Sequence, residues 1–263
     1  MRELLALVSF RGTIRERSVE PYLGLLHALR SRRRIKGVLF DISSGGGSSV
    51  SSYDLFAALK RLDRVKPVFA SIGAVGASGG YLAALGARKV FAYPDSAVGS
   101  IGVIAPHIAV QGLLEKLGVS VELIHQGRHK DAYAGVRPLT DEERELALRR
   151  TGEGYRQFVA LVAQARQRPV PEIEALATGE VFSGSEALRR HLVDALGDRE
   201  DALEALAAAT GVRASKTVRV SPRRPFLERA MSGAMYSAAP GLSAAFRDTI
   251  EDSVLGGLLG RYR

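Results

Sequence analysis

A serine flanked by glycines is the clearest candidate nucleophile in this sequence. Ser78 lies within Gly76-Ala77-Ser78-Gly79-Gly80, after an apolar stretch and before a run of small residues. This pattern predicts a turn from a strand into a helix that exposes one hydroxyl, and the next backbone N–H could bind a developing oxyanion. A serine that only caps a helix would show the same local sequence. The chemistry therefore depends on whether a base can reach Ser78.

A serine nucleophile needs a general base, and one predicted loop offers three candidates. His125 precedes the run Gly127-Arg128-His129-Lys130-Asp131, which adds a second histidine and a lysine. A lysine can accept a proton only where its surroundings keep the amine neutral. An exposed Lys130 paired with Asp131 would instead be an ordinary surface charge. Spacing alone leaves the three candidates open.

Composition excludes several other kinds of site. The 263 residues contain no cysteine, which rules out a cysteine nucleophile, a disulfide and a thiolate metal site. The glycine clusters match neither a Walker loop nor a dinucleotide fingerprint, and no histidine pair has zinc-ligand spacing beside a carboxylate on one helix. We expect no cofactor and no metal. The net charge is +9, but no aromatic residues interleave with the cationic run at 30–36, so we expect a solvated helix end there and no nucleic-acid partner.

Alternating strands and helices would position these residues. Apolar stretches predict buried strands, and residues 19–29 and 53–62 have helical spacing between the first three of them. The predicted strands are residues 4–10, 37–41, 68–72, 89–93, 98–104 and 119–126. This alternation predicts parallel βαβ units. Later the chain is more helical, with a helix around 110–117 and a capping box at Thr140–Glu143 that begins a helix ending near residue 167.

Six stretches, taken in order, resemble the signal peptide peptidase A or protease IV family of serine–lysine peptidases. The resemblance covers about residues 4–210, and the separation of Ser78 from Lys130, 130 − 78 = 52 residues, fits the single-repeat bacterial members. The stretches are Lys36-Gly37-Val38-Leu39 with the following Ser-Gly-Gly-Gly turn, Gly76-Ala77-Ser78-Gly79-Gly80-Tyr81, Val98-Gly99-Ser100-Ile101-Gly102-Val103, Gly127-Arg128-His129-Lys130-Asp131, Arg137-Pro138-Leu139-Thr140, and Val181-Phe182-Ser183-Gly184 with its continuation to Asp194.

The resemblance implies a fold and a set of residue roles. The fold would be α/β, the ClpP/crotonase-like arrangement of βαβ units with a helical C-terminal part. Residues 1–210 would form the peptidase domain, and residues 211–263 a helical or partly flexible tail. Ser78 would be the nucleophile, Lys130 the general base and Ser100 the residue that orients the lysine. Backbone N–H groups of Gly79 and of Gly45 or Gly46 would form the oxyanion hole.

The same resemblance implies partners. The chain would form a homo-oligomeric ring, such as an octamer, in which neighbouring protomers complete each serine–lysine dyad. Its substrates would be signal-peptide remnants or other peptides with small or apolar residues. The sequence predicts no signal peptide and no transmembrane helix, so a cytoplasmic location is expected. Peripheral membrane contact could come from the basic surface or from the uncharged stretch at 230–246.

Two other functions remain open at this point. A catalytically inactive scaffold of the same fold, binding peptides or assembling at membranes, would need neither Ser78 nor Lys130. A crotonase-type acyl-CoA hydratase or isomerase would bind a thioester oxyanion with similar glycine turns. That enzyme needs catalytic carboxylates near the turns, and neither glycine cluster contains one.

Overall fold

The computed structural model describes residues 3–222. Strands and helices alternate in the first hundred residues, and helices dominate after residue 140. A short 3-10 turn at Ala214–Lys216 precedes the last strand. The elements are β1 (Leu4–Arg11), α1 (Glu16–Ser31), β2 (Ile35–Ser44), α2 (Ser49–Asp63), β3 (Val68–Ala77), α3 (Gly79–Ala84), β4 (Lys89–Ala92), β5 (Ala97–Gly99), α4 (Gln111–Lys116), α5 (Asp141–Arg166), α6 (Val170–Leu176), β6 (Val181–Ser183), α7 (Gly184–Arg189), β7 (Ala195–Leu196), α8 (Arg199–Thr210) and β8 (Thr217–Arg219).

The sheet branches at β3, and this branch builds the site. The described strands lie in the order β6-β5-β3-β2-β1-β8, and all their pairings are parallel except that of β5 with β6. The first half of β3, Phe69–Ile72, pairs with β4, whereas its second half, Val75–Ala77, pairs with β5. Because β4 and β5 use different halves of β3, the chain can place β5 beside the carboxyl end of β3, where the serine turn follows.

Two apolar layers hold the sheet. Alternate residues of a strand point to opposite faces, so Val38, Phe40 and Ile42 of β2 face helices α1, α2, α3 and α5, whereas Leu39 faces helix α8. Every one of these side chains is fully buried. The middle of β2, residues 38–40, is apolar throughout because the strand is covered on both faces, as expected for a parallel sheet.

A buried lysine joins α1 to the start of the sheet. Lys66 is 8% exposed, and its Nζ donates to the carbonyl oxygens of Leu29 at 2.7 Å and of Arg32 and Ile35 at 3.0 Å. The first two carbonyls lie at the C-terminal end of α1, where helix carbonyls lack intrahelical partners. Lys66 thus satisfies buried acceptors that the helix leaves open.

The structure confirms the predicted α/β fold and corrects two of the predicted strands. Residues 119–126 alternate apolar and polar types, but they form no strand, because no strand among the described residues lies beside them. β5 ends at Gly99 rather than near residue 104, because Ser100 turns with a φ of +49°. Conversely, β3 continues through its glycines to Ala77.

The predicted division at residue 210 stays a prediction. Strand β8 adds Thr217–Arg219 to the sheet beside β1, so the ordered fold continues past that point. Most of the predicted tail, including the uncharged stretch at 230–246, lies outside the described residues. Among residues 3–222, no helix combines the length and apolar character that crossing a membrane requires.

Candidate active site

Ser78 and Ser100 occupy equivalent positions at the ends of two paired strands. Ala77 of β3 is in register with Gly99 of β5, so the two serines follow directly paired residues. Ser78 N donates to the Gly99 carbonyl oxygen at 2.7 Å, and Ser100 N donates to that of Glu180 at 2.7 Å. Both serines have positive φ, +52° and +49°, which is rare for residues other than glycine.

The backbone at Ser78 is strained in the way expected of a nucleophile turn. Its φ of +52° and ψ of −125° connect β3 directly to α3, and the side chain makes no capping hydrogen bond. Residues in such sparsely populated regions cost about 1–3 kcal/mol each and persist only where the surrounding structure fixes them. Here α3 is fixed by Tyr81, which is fully buried and donates from its hydroxyl to the Leu192 carbonyl oxygen at 2.7 Å. Burial raises the pKa of the Tyr81 phenol, so it remains a donor.

The glycine turn after β2 packs directly against the Ser78 turn. A Cβ at Gly46 would lie 2.7 Å from Gly79 N and 2.9 Å from Ser78 Cβ. A Cβ at Gly79 would lie 2.0 Å from Ser52 Oγ, and one at Gly80 would lie 2.2 Å from the Ser44 carbonyl oxygen. Glycine is therefore required at Gly46 and Gly80 because the two turns approach each other at backbone distance, and at Gly79 because the Ser52 side chain of α2 fills the space beside it.

The candidate oxyanion donors differ in what they already contact. Gly46 N donates to Ser44 Oγ at 3.1 Å, and Gly46 is buried. Gly45 is exposed and lines the cavity beside Ser78. Gly79, the first residue of α3, also lines the cavity but is buried. Of the two glycines that the sequence left open, Gly45 therefore has the more accessible position.

An apolar cavity of about 750 Å³ opens over the two serines. Ser78, Ser100, Gly45 and Gly79 line it on the sheet side. None of the residues that line it, taken from the described range 3–222, carries a charge. The rest of its lining comes from the start of α2, from Leu82 of α3, from residues 102–104, from the middle of α5 and from the segment after α6. Its large apolar side chains are Val50, Tyr53, Leu82, Val103, Ile104, Tyr155, Phe158 and Leu161.

The predicted bases lie outside this cavity. Lys130, His125 and His129 all belong to an extended segment between β5 and α5, residues 103–139, which we call the arm. Lys130 is exposed and is absent from the cavity lining, as are both histidines. A single copy of the described chain thus brings Ser78 and Ser100 together but leaves all three candidate bases apart from them.

Large apolar side chains are exposed along the arm. The most exposed are Ile124 at 92% and Ile104 at 86%. Side chains of this size are mostly buried in folded proteins, and several exposed ones along one segment indicate a binding surface. The arm's other exposed apolar side chains are Ile108, Leu113, Leu117, Val119, Val121, Leu123 and Tyr133.

Ion pairs fix the Lys130 loop to the start of α5. Arg137 donates to Asp131 Oδ2 from Nε at 3.0 Å and from Nη2 at 2.7 Å, and its Nη1 and Nη2 each donate to Glu143 at 2.8 Å. The Arg137 guanidinium lowers the pKa of the Glu143 carboxyl to about 2 and that of the Asp131 carboxyl below its usual range. Glu142 pairs with Arg128 at 2.6 Å and with His129 at 3.4 Å. Among the described residues, Asp131 thus pairs with Arg137, and not with Lys130 as the surface-charge alternative required.

Sequence reasoning missed the contribution of α5 and of Arg137. Tyr155 and Phe158 are more than fifty residues from Ser78 in the chain and reach the cavity only because α5 packs across the fold. The capping box at Thr140 and Glu143 was visible in the sequence and is present, with both reciprocal hydrogen bonds. The structure adds that the same Glu143 also binds Arg137.

Comparison with known proteins finds a peptidase family model and several proteases among the relatives of this chain. Residues 60–213 match the model of Peptidase family S49. The chain is 32% identical over 234 residues to a protein of Synechocystis sp. named as a candidate protease, covering 88% of this chain and 84% of the relative. It is 36% identical over 185 residues to a protein of Methanocaldococcus jannaschii named as a candidate protease, covering 70% of this chain and 60% of the relative.

A plant relative extends the comparison. The chain is 34% identical over 179 residues to the chloroplastic serine protease SPPA of Arabidopsis thaliana, covering 68% of this chain and 26% of the relative. The chain thus spans 60% of the length of the archaeal relative and about a quarter of that of the plant relative. The matched region contains both the Ser78 turn and the arm, and the chain belongs to peptidase family S49.

Proposed function

We propose that the protein is a serine endopeptidase in which Ser78 and Lys130 form the catalytic dyad. One observation carries the proposal: a strained, accessible serine faces an apolar cavity whose described lining includes no charged group. A lysine brought into such surroundings would be disfavoured as an ammonium ion, because burial opposes the charged form. Membership of a peptidase family supports the same chemistry.

In this mechanism, Ser78 Oγ attacks the carbonyl carbon of the peptide while the neutral amine of Lys130 accepts the hydroxyl proton. The N–H groups of Gly79 and Gly45 donate to the oxyanion of the tetrahedral intermediate. Lys130 then returns the proton to the leaving amine, and the C–N bond breaks to give an acyl-enzyme. Water, deprotonated by Lys130, hydrolyses the ester and regenerates Ser78.

Ser100 is proposed to orient the lysine. It follows the β5 residue that pairs with Ala77, so its position relative to Ser78 is fixed by the register of the sheet. A hydroxyl there could accept a hydrogen bond from the amine and hold its lone pair toward Ser78 Oγ. The apolar lining, which includes Leu82, Tyr155 and Phe158, would suit substrates with small or apolar residues beside the scissile bond.

The dyad is proposed to form between two copies of the chain. Lys130 lies on the exposed arm, away from the cavity of its own chain, and the same arm exposes nine large apolar side chains. A second copy that covers this apolar surface would receive Lys130 of the first copy in its cavity. Because the cavity and the arm are different surfaces, we propose a head-to-tail contact whose rotation closes it into a ring.

The alternatives account for less of the site. A crotonase-type hydratase or isomerase needs carboxylates at the glycine turns, and none of the described residues that line the cavity is acidic. An inactive scaffold would bind peptides without requiring the strained geometry of Ser78.

The test is hydrolysis of a fluorogenic peptide with alanine before the scissile bond. We expect wild type to cleave it, and Ser78→Ala and Lys130→Ala each to lose at least a thousandfold in kcat/KM, with no further loss in the double variant. Lys116→Ala, an exposed lysine in α4 of the same arm, is the matched control and should stay within about threefold of wild type. Each variant must keep the oligomeric size of wild type. An inert wild type, or an active Lys130→Ala, would overturn the proposal.

A further inference from the structure

Arg137 lies at the centre of the charged groups around the proposed base. We propose that it is a positioning residue that keeps the Asp131 carboxylate away from Lys130, and so keeps the amine available as a base. The inference rests on the proposed function of Lys130. It concerns a different residue, and the experiment below separates the two.

The sequence places a carboxylate next to the proposed base. Asp131 directly follows Lys130, and a carboxylate within about 4–6 Å of an amine favours the ammonium form, which cannot accept a proton. In the structure, Lys130 forms no ion pair with any described residue. Instead, Asp131 Oδ2 accepts two hydrogen bonds from Arg137, at 2.7 and 3.0 Å. The carboxylate side chain is only 11% exposed, so little water screens it.

Arg137 is itself held from three sides. Its guanidinium donates to both carboxylate oxygens of Glu143, whose side chain is 3% exposed, and to the Pro138 carbonyl oxygen at 3.0 Å. The backbone carbonyl oxygen of Arg137 lies 3.0 Å from Nε2 of His107, near the start of the arm. Bidentate arginine–carboxylate contacts of this kind fix direction as well as distance. Asp131 therefore has one strongly preferred partner, and that partner is anchored to α5.

The other charged groups around the loop have their own partners. Asp131 Oδ1 is buried without a hydrogen bond, and His125 Nε2 lies 3.7 Å from it. Arg128 and His129, the residues just before Lys130, both pair with Glu142. Of the ionisable side chains around Lys130, Arg137 is thus the one whose loss would leave a carboxylate uncompensated beside the base.

Removing Arg137 should therefore change the pH dependence of the reaction as well as its rate. For a lysine base, kcat/KM rises with pH as the amine loses its proton. In Arg137→Met, a nearby cation is lost and the Asp131 charge is released, and both changes favour the ammonium form. We expect the midpoint of the rise to move upward by about one pH unit or more, with activity recovering at high pH.

The experiment compares pH profiles of peptide hydrolysis for assembled wild type, Arg137→Met, Asp131→Asn and the double variant Arg137→Met/Asp131→Asn. We expect the double variant to move the midpoint back toward wild type by at least half of the shift, because it removes the Asp131 charge but not the Glu143 charge that Arg137 also neutralises. Arg144→Met, at an exposed position in the first turns of α5, is the matched control and should leave the midpoint unchanged.

Each outcome decides between the ideas. If Arg137→Met lowers the rate equally at every pH, or if Asp131→Asn fails to move the midpoint back by half of the shift in the double variant, Arg137 only holds the loop in place and the inference is wrong. Lys130→Ala is measured in parallel. If it remains active, the proposed function itself fails, whereas an inactive Lys130→Ala with an unshifted Arg137→Met profile refutes only the role of Arg137.

Discussion

Two inactive variants should restore each other if the dyad is shared between chains. Ser78→Ala supplies an intact arm with Lys130, and Lys130→Ala supplies an intact cavity with Ser78. In a head-to-tail ring, a junction works only when the cavity of a Lys130→Ala protomer receives the arm of a Ser78→Ala protomer. Random mixing in equal amounts produces that ordered pair at about one junction in four. The mixture should therefore reach about a quarter of the wild-type rate per protomer.

The assay is peptide hydrolysis by mixed rings obtained by co-expressing the two variants with different affinity tags. Purification over both tags in turn removes rings of one kind, and the ratio of tags corrects the expected fraction. Each variant alone should retain about a thousandth of wild-type activity or less, so the mixed ring should exceed either by a factor of a hundred or more. Rings of Ser78→Ala with the double variant Ser78→Ala/Lys130→Ala are the control, because they contain no complete junction.

The outcome distinguishes shared from internal dyads. If each chain used its own Lys130, neither variant could supply a complete site and the mixed rings would remain as inactive as the control. That result, from rings of wild-type size, would refute the reasoning from the uncharged cavity lining and the exposed arm. It would require instead that the arm folds back onto its own cavity when substrate binds.

Three further predictions concern the turns, the buried lysine and acid stability. Gly46 has a φ of +97°, and Gly46→Ala places a Cβ 2.7 Å from Gly79 N, so we expect kcat/KM to fall by about a hundredfold as Ser78 is displaced. Gly12 has a φ of +88° and no atom within 4 Å of its Cβ position, so Gly12→Ala introduces the backbone strain alone and should retain the wild-type kcat/KM. Lys66→Met removes the Nζ donor from three carbonyl oxygens, so it should lower the free energy of unfolding by about 2–4 kcal/mol in urea denaturation. Lys36→Met removes only an exposed pair with Glu3 and should change that free energy by less than about 1 kcal/mol. Pairing with Arg137 lowers the pKa of Glu143 from 4.5 to about 2, so its stabilising effect is complete above about pH 4.5 and is lost as the pH falls toward 2. Glu143→Gln should therefore reduce the fall in unfolding free energy over that pH range, whereas Glu145→Gln, at an exposed position, should not. An unchanged slope in Glu143→Gln, or equal effects of Lys66→Met and Lys36→Met, would contradict these assignments.

The sequence predicted the main elements of the fold because they depend on local patterns. Parallel strands that are covered on both faces contain apolar runs, so β1, β2 and β4 were predicted from such runs. The glycine and small residues around Ser78 indicated its turn for the same reason, since only they allow the close approach found between Gly46 and Gly79. What these patterns specify lies within a few residues of each motif.

The sequence could not predict features that depend on partners far along the chain. The strand predicted at residues 119–126 has suitable alternation, but alternation does not supply a neighbouring strand, and none lies beside it in the described chain. The end of β3 looked like a loop because of Gly73 and Gly76, yet it remains extended since β2 and β5 pair with it. Tyr155 and Phe158 have ordinary helical spacing, and only the packing of α5 places them at the cavity.

The incorrect strand and the missing base have one explanation under the proposed assembly. Val119, Val121 and Leu123 alternate with polar residues as if one face were buried, but each is more than 40% exposed in the single chain. The cavity, for its part, has Ser78 and Ser100 but no charged group among its described lining residues. A second chain laid along the arm would bury the alternating face and deliver Lys130 to a serine at the same time. The arm's pattern is then an adaptation to an interface, because the residues that it must cover belong to another copy.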